Sequence, residues 1–241
     1  MQLKYRRILL KMSGELLGGA AESGISVERV HTLAEDLQVL HQLGVQIGLV
    51  VGGGNIFRGS IGETRGIDRV SGDHMGMLAT VINSLAVQDA LEKHGVPASV
   101  MSALRIESVA EPYVRRDALR RLDAGQVVIV AAGTGNPFFT TDTAGVLRAI
   151  ELGAEVLLKG TKVDGVYDDD PAKNPDAKRF STLTYREVLN RDLKVMDATA
   201  ISLSRENDLP IIVFDISRRG DLLRIVQGES VGTRVGNGEN T

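Results

Sequence analysis

The chain of 241 residues predicts an α/β fold, with a mostly parallel, twisted sheet covered by helices on both faces as a three-layer αβα sandwich. Three observations carry this reading. Short apolar runs such as Val45–Val51 and Val127–Ala132 alternate with stretches of helical periodicity. Glycines close the helical stretches at Gly44, Gly95 and Gly153. Glycine-rich turns follow the apolar runs directly at Gly52–Gly54 and Gly133–Gly135. No low-complexity linker or internal repeat divides the chain, so residues 1–241 read as one compact domain with two functional halves.

The elements follow in order. Residues 5–12 read as the first strand, ending at Lys11-Met12-Ser13-Gly14, and 15–25 as a loop. Ser26 then caps a helix whose Val30, Leu33, Leu37, Leu40 and Leu43 recur at helical spacing. The strand Val45–Val51 runs into Gly52-Gly53-Gly54-Asn55, and a polar, arginine-bearing stretch covers 58–73. A long helix is expected over Met75–Lys93, strands near 98–101 and 127–132, and a helix near 111–123 between them. A helix from Thr141 to Gly153 leads to a strand at Glu155–Lys159. Residues 160–182 read as irregular. Helices near 185–191 and 198–207, a strand at Ile211–Phe214, a helix near 219–226 and a glycine-rich tail complete the chain.

Composition bounds the function. Apolar residues make up 43% and aromatic residues only 4%, with no tryptophan, so the core must be aliphatic. With 28 basic and 31 acidic residues the net charge is −3, which argues against nucleic acid or a membrane surface as main partner. The absence of cysteine removes disulfides, thiolate metal sites and cysteine nucleophiles, and agrees with a reducing cytosol. Lys4, Arg6 and Arg7 precede Ile8-Leu9-Leu10, but the apolar run stops at Lys11, too short for a signal peptide. No run approaches the roughly 18 apolar residues of a membrane span. A cytoplasmic protein is expected.

In open α/β sheets the ligand site lies at the carboxyl ends of the strands. The stretch Gly133-Thr134-Gly135-Asn136-Pro137-Phe138-Phe139-Thr140-Thr141-Asp142 is placed there, between a strand and a helix N-terminus. Such a turn points backbone N–H groups at an anion. Two phenylalanines within it point to a ligand with both a flat ring and a phosphate. Gly52–Gly54 reads either as a plain strand-to-helix turn or as backbone that can approach a phosphate closely. The chain has no Gly-x-x-x-x-Gly-Lys-Ser/Thr, and the spacing Gly-x-Gly-x-x-Gly fails at Phe57, so neither common nucleotide motif is present.

Lys11 and Lys159 each end an apolar run. Each reads as a strand-end lysine or as a cation acting on a transferring phosphoryl group, and two in equivalent places strengthen the second reading. Arg58 is a solvated loop charge or a mobile donor beside a phosphate. Arg65 and Arg69 read as simple loop charges. Asp142 in a first helical turn complements the helix dipole. It would also repel phosphate, unless it orients lysines or a magnesium-bound phosphate. Asp73 reads as a helix cap or as an acceptor for sugar hydroxyls. Asp168-Asp169-Asp170 lacks the spacing of a calcium loop and reads as a solvated turn, with Thr161, Asp164 and Tyr167 before it favouring contact with a nucleoside. His31, His41, His74 and His94 are dispersed and read as surface or packing residues. No Gly-x-Ser-x-Gly elbow supports serine hydrolase chemistry.

Together, Lys11-Met-Ser-Gly-Glu15, Val51-Gly-Gly-Gly-Asn-Ile-Phe-Arg-Gly59, the 133–142 run and Lys159-Gly-Thr-Lys-Val-Asp-Gly-Val-Tyr167 closely resemble the bacterial uridylate kinases, a branch of the amino acid kinase superfamily. The resemblance covers essentially the whole chain in order, and the 133–142 run is specific to that branch. It implies an amino acid kinase-like fold and transfer of the γ-phosphoryl group of ATP to UMP with Mg²⁺. The N-terminal half would serve mainly UMP and phosphate, and the C-terminal half mainly ATP.

By the same resemblance, Lys11, Arg58, Asp142 and Lys159 are catalytic, Asp142 organising the lysines. Lys11, Met12, Ser13, Gly14, Gly54 and Arg58 lie on the ATP phosphates, and Thr161, Tyr167 and Asp170 line the adenosine side. Gly53 touches UMP, Asp73 holds its ribose, and Thr134, Gly135, Asn136, Pro137, Phe138, Phe139, Thr140 and Thr141 wrap it. The residues Gly19, Ala20, Ala21, Glu22, Ser23 and Gly24 match a loop linked in the family to activation by GTP. The family further implies a homohexamer, inhibition by UTP, de novo pyrimidine synthesis, and magnesium carried by ATP with no direct protein ligand. Two rival readings remain: a kinase of a small carboxylate or carbamate on the same fold, and a non-catalytic nucleotide- or oxyanion-binding assembly.

Overall fold

The computed structural model describes residues 3–19, 24–57 and 66–238. Its strands are β1 (Arg7–Met12), β2 (Gln46–Val51), β3 (Ala98–Ser102), β4 (Glu111–Pro112), β5 (Val127–Ala131), β6 (Val156–Thr161), β7 (Thr182–Thr184), β8 (Ile211–Asp215) and β9 (Thr233–Gly236). Its helices are α1 (Val27–Gln42), α2 (Arg69–Lys93), α3 (Arg115–Asp123), α4 (Thr141–Leu152), α5 (Tyr185–Asn190), α6 (Ala198–Glu206) and α7 (Asp221–Val226). Among the described residues the strands form one sheet in the order β4-β3-β5-β2-β1-β6-β8-β9-β7. All neighbours are parallel except β8 and β9, which are antiparallel, so the expected mostly parallel sheet is present.

Side chains alternate between the two faces of a strand. Leu10, Leu49 and Leu158 join one buried cluster with α1, α2 and α7. Leu9, Val50 and Leu157 join the other with α3, α4, α5 and α6. That alternation produces the three layers, and it explains why the central strands read as unbroken apolar runs.

Several local expectations hold. The Ser26 side chain accepts the Arg29 N–H at 3.4 Å at the start of α1, and Gly153 ends α4 in the left-handed conformation at φ 66°. Others need correction. The long helix starts at Arg69, not Met75, because the Asp68 carboxylate caps it by accepting from the N–H groups of Val70 at 3.0 Å and Ser71 at 3.2 Å. Asp73 is therefore inside the helix rather than at its cap, and Arg69 is a helix residue rather than a loop charge. Residues 111–112 are an edge strand on β3, so the following helix begins only at Arg115. The 15–25 segment opens with a 3₁₀ turn at Gly14–Leu16. The last helix begins at Asp221, after Gly220 at φ 87°. The glycine-rich tail contains β9, which pairs with β8, and β7 pairs with β9 in turn. Both are short segments whose partners lie far away in the chain, so no local periodicity announces them. No helix among the described residues is long and apolar enough to cross a membrane.

Candidate active site

The site starts from strand parity. Lys11 on β1 follows the parity of Leu9, and Lys159 on β6 follows that of Leu157, so both side chains leave the sheet on the α4 face. The two residues are direct register partners. Above them lies the first turn of α4, which carries Asp142. One carboxylate oxygen of Asp142 pairs with the Lys11 ammonium. The other accepts from Lys159 Nζ at 2.8 Å. Lys159 Nζ also donates to the Val195 carbonyl. Lys11 is 6% exposed, and the side chains of Asp142 and Lys159 are each 16% exposed.

Burial alone would raise the Asp142 pKa, but the two ammonium groups outweigh it and hold the carboxyl below its ordinary value. Burial lowers the Lys159 pKa, Asp142 opposes that, and the nearby Lys11 cation adds to it. The assembly is two cations on one anion, with net positive charge left over at the carboxyl edge of the sheet.

Glycine makes this arrangement possible at Gly145, one turn into α4. A Cβ there would stand 3.0 Å from Lys11 Cγ. Gly53 is closed in a different way, since a Cβ would meet both the Ala79 Cβ and the Gly76 carbonyl of α2 at 2.7 Å. Gly14 and Gly52 press backbone on backbone, with the Gly52 oxygen 2.3 Å from a Cβ at Gly14. Helix and strand packing thus demands glycine at Gly14 and Gly53, apart from any phosphate. Gly54 remains comparatively open.

A buried amide pair supports the same turn. Asn83 Nδ2 donates to the Gly52 carbonyl at 2.7 Å and to Asn55 Oδ1 at 2.7 Å, and Asn55 Nδ2 donates to the Gly24 carbonyl at 2.7 Å. Ser13 caps the 3₁₀ turn beside it.

The N-terminus of α4 is anchored from outside. Thr140 Oγ1 accepts from the N–H groups of Asp142 and Thr143, each at 3.1 Å, and donates to Asp197. Thr143 Oγ1 donates to the other Asp197 oxygen at 2.8 Å, and Asp197 caps α6 by accepting the Ala200 N–H at 3.0 Å.

Two clefts flank the lysines. One, of about 250 Å³, is lined by Gly53, Gly54, Phe57, Asp73, Thr80, Gly133, Thr134, Phe139, Thr140 and Thr141 among others. The other, of about 520 Å³, is lined by Lys159, Thr161, Tyr167, the Asp168–Asp170 turn, Arg191 and Val195 among others. Thr141, next to Asp142, borders the first cleft and Lys159 borders the second, so the two ion pairs lie between them. A larger, more open groove of about 620 Å³ between α4 and α6 shares Phe139 and Thr134 but contains neither lysine.

The expected residues are distributed unevenly. Lys11, Ser13 and Gly14 converge with Gly53, Gly54, Thr141, Asp142 and Lys159 at one sheet edge, whereas the Met12 side chain is buried in the cluster on the other face of the sheet. Phe139 faces the smaller cleft, whereas Phe138 is 65% exposed, sits at φ 72° and lies under the Arg69 guanidinium at 5.6 Å. Gly135 and Pro137 do not line either cleft, and Asn136 lines only the open groove. Asp73 Oδ2 accepts from the Phe138 N–H at 2.7 Å and from Arg69 Nε at 3.0 Å, tying α2 to the 133–142 loop. Thr161, Tyr167 and Asp170 share the larger cleft, where Tyr167 donates to Asp164 at 2.6 Å and Asp170 caps the Ala172 N–H at 3.0 Å. His31 and His94 contact each other at 3.0 Å, away from both clefts. Arg58, and Ala20, Ala21, Glu22 and Ser23 of the 19–24 loop, lie outside the described residues.

Sequence reasoning missed Asn83, Thr80, Asp197 and the Val195 carbonyl. Asp197 carried a signal, as an acid directly before a helical stretch. Asn83 and Thr80 stood only as polar residues among apolar ones in a long helix.

A parallel sheet with two register-paired lysines on one acid, between two clefts at its carboxyl edge, defines a phosphoryl-transfer enzyme that uses neither common nucleotide motif. Residues 6–215 match the model of the amino acid kinase family. A uridylate kinase of Legionella pneumophila (strain Lens) is 58% identical over 235 residues, covering 98% of this chain and 95% of that protein. The crystal structure of a UMP kinase from Bacillus anthracis superposes with a TM-score of 0.94 at 39% identity, covering 98% of this chain and 97% of that one. A UMP kinase from Ureaplasma parvum gives 0.91 at 36% identity, covering 98% and 100%. The chain belongs to the amino acid kinase family, in its uridylate kinase branch.

Proposed function

We infer that this chain transfers the γ-phosphoryl group of ATP to UMP, giving ADP and UDP. The observation that carries the reading is the Lys11–Asp142–Lys159 bridge between a small cleft with an aromatic wall and a larger one. UMP is assigned to the cleft of Phe139, Asp73, Thr140 and Thr141, and ATP to that of Thr161, Tyr167 and Asp170. Segments before Asp142 then serve mainly the acceptor, and those after it mainly the donor. Ser13, Gly14 and Gly54 are assigned to the ATP phosphates, joined by Arg58.

In this mechanism a phosphate oxygen of UMP bonds to the γ-phosphorus while the bond to the oxygen bridging the β- and γ-phosphorus breaks. ADP departs with that electron pair. The acceptor oxygen is already anionic, so no general base is required. Lys11 and Lys159 neutralise charge on the transferring group, and Asp142 pairs with both ammonium groups and aims them. The first turn of α4 adds backbone N–H dipoles. Both oxygens of Asp142 and of Asp197 are engaged by other groups, which fits a magnesium ion carried on the ATP phosphates. Such an ion neutralises phosphate charge when bound.

The family pattern extends the proposal to GTP activation, UTP inhibition, a homohexamer, and a cytoplasmic role in pyrimidine nucleotide synthesis. Gly24, which closes the 19–24 loop, donates its N–H to the Asn55 carbonyl at 2.9 Å, a route from that loop to the glycine turn. Met75, Leu78 and Ile82 form an exposed apolar row on α2, suited to a subunit contact.

A coupled assay for ADP with UMP, other nucleoside monophosphates, N-acetylglutamate and carbamate tests the central reading. UMP is expected to be the preferred acceptor. Turnover of an acid or carbamate with none of UMP would refute it.

A further inference from the structure

Arg148 is a buried cation that the proposed mechanism does not use. It lies on α4 with 5% of its surface exposed. Its Nη1 pairs with Glu151 at 2.6 Å, its guanidinium stacks 4.2 Å from the centre of the Tyr113 ring, and its Nη2 donates to the Gly133 carbonyl at 3.2 Å.

That last contact falls at a sensitive point. The Gly135 N–H donates to the Ala132 carbonyl at 2.9 Å and closes a four-residue turn. Its central peptide joins Gly133 to Thr134, with Gly133 at φ 59°. The orientation of the central peptide distinguishes one turn type from another, so a partner on its carbonyl selects the turn. In a planar trans peptide the N–H points opposite to the C=O. With the Gly133 carbonyl drawn toward Arg148, the Thr134 N–H faces the other way. It donates to no group among the described residues.

We propose that Arg148 is a positioning residue for the acceptor: it holds the Gly133 carbonyl, and thereby aims the Thr134 N–H at the phosphate of the bound monophosphate. A cation on the carbonyl also polarises the N–H of the same peptide. This inference rests on assigning UMP to the cleft that Gly133 and Thr134 line. The alternative role is structural, an ion pair with Glu151 and nothing more.

Two substitutions separate the roles, because each breaks the Arg148–Glu151 pair but only one frees the Gly133 carbonyl. Arg148→Gln is expected to raise KM for UMP at least about ten-fold, the worth of one hydrogen bond to a charged group, with KM for ATP within about two-fold. Glu151→Gln is expected to lower stability toward urea comparably, with KM for UMP within about two-fold of wild type. Equal effects of the two variants on KM for UMP, or no effect of Arg148→Gln, would overturn the proposal. Should Arg148→Gln fail to fold, Arg148→Lys carries the test. One ammonium cannot serve Glu151 and Gly133 together, so KM for UMP is expected to rise at least about three-fold. An unchanged value overturns the proposal. Wild-type protein that makes no ADP with UMP would refute the acceptor assignment and this inference with it. Wild-type turnover of UMP together with an unchanged KM for UMP in the Arg148 variants would refute the inference alone.

Discussion

Lys11 on β1 is the direct lateral partner of Lys159 on β6, and both ammonium groups close on one carboxylate. Two buried cations side by side repel each other, and Asp142 makes their proximity tolerable. The same acid holds them where two anionic substrates would meet.

Asp142→Asn removes that compensation without changing shape. Taking one partner from a buried charge pair costs about 3–5 kcal/mol. Urea unfolding should show a loss of that order, together with a fall in kcat of at least about a hundred-fold. A variant as stable as wild type would mean the lysines tolerate each other unaided.

Lys11→Ala should lower kcat by about a hundred- to a thousand-fold, with a smaller change in KM for UMP, because its charge acts mainly on the transition state. Steady-state kinetics with both substrates decide this. Near-normal turnover would remove Lys11 from the chemistry.

Gly145→Ala separates stability from activity. Alanine favours a helix interior over glycine by about 1 kcal/mol. Its methyl would crowd Lys11 Cγ at 3.0 Å and displace the ammonium. Distortion of the Lys11–Asp142 pair offsets that gain, so the thermal midpoint should not rise, while kcat falls about ten-fold. Unchanged kcat would show that Lys11 shifts without consequence.

The pH profile follows from the same pair. Asp142 titrates below its ordinary 3.8, so its stabilising contribution is complete above that value and is lost as pH falls through the depressed pKa. Lys159 titrates below its ordinary 10.5. Between its folded pKa and 10.5 the unfolded chain holds a proton that the folded chain has lost, so this group's contribution to stability rises with pH there. Turnover moves the opposite way, since neutral Lys159 no longer screens phosphate. The alkaline limb of kcat/KM, which reports the free enzyme, should therefore lie below pH 10.5, and Lys159→Arg, which stays charged, should move it upward. An unmoved limb would assign it to another group.

Thr80→Val tests the support beneath the acceptor loop. Thr80 Oγ1 accepts the Ala132 N–H at 2.7 Å, and Ala132 holds φ at 63° without being glycine. The isosteric change orphans that buried N–H at about 1–3 kcal/mol. Stability should drop accordingly, and KM for UMP should rise more than KM for ATP. A larger effect on ATP would place the acceptor elsewhere.

Much of the site was legible because it is local. Gly52–Gly54 and the 133–142 run announce turns at strand ends, and Ser26 and Gly153 announce helix ends, each through chemistry within a few residues. The start of α2 was misread because the polar 58–73 stretch hides its cap, Asp68, ahead of the first apolar residue. β7 and β9 were missed because each is a few residues long and is stabilised by pairing rather than by pattern. Asn83, Arg148 and the contact of Asp197 with Thr143 were illegible for a related reason. Their partners, Gly52, Gly133 and Thr143, lie on other elements, and nothing local distinguishes a polar side chain that will find such a partner from one that will face water.

Periodicity and punctuation were enough for the three layers, the strand-end placement of Lys11 and Lys159, the helix that carries Asp142 in its first turn, and the family. Those follow from periodicity of two and of 3.6, from glycine punctuation, and from runs long enough to be specific. Packing had to show that the two lysines share one acid, that Gly53 and Gly145 are glycine to admit α2 and Lys11, and that Phe139 rather than Phe138 faces the cleft. Register between distant strands and the seating of a helix on a sheet set those distances. They emerge only when segments far apart in sequence pack together.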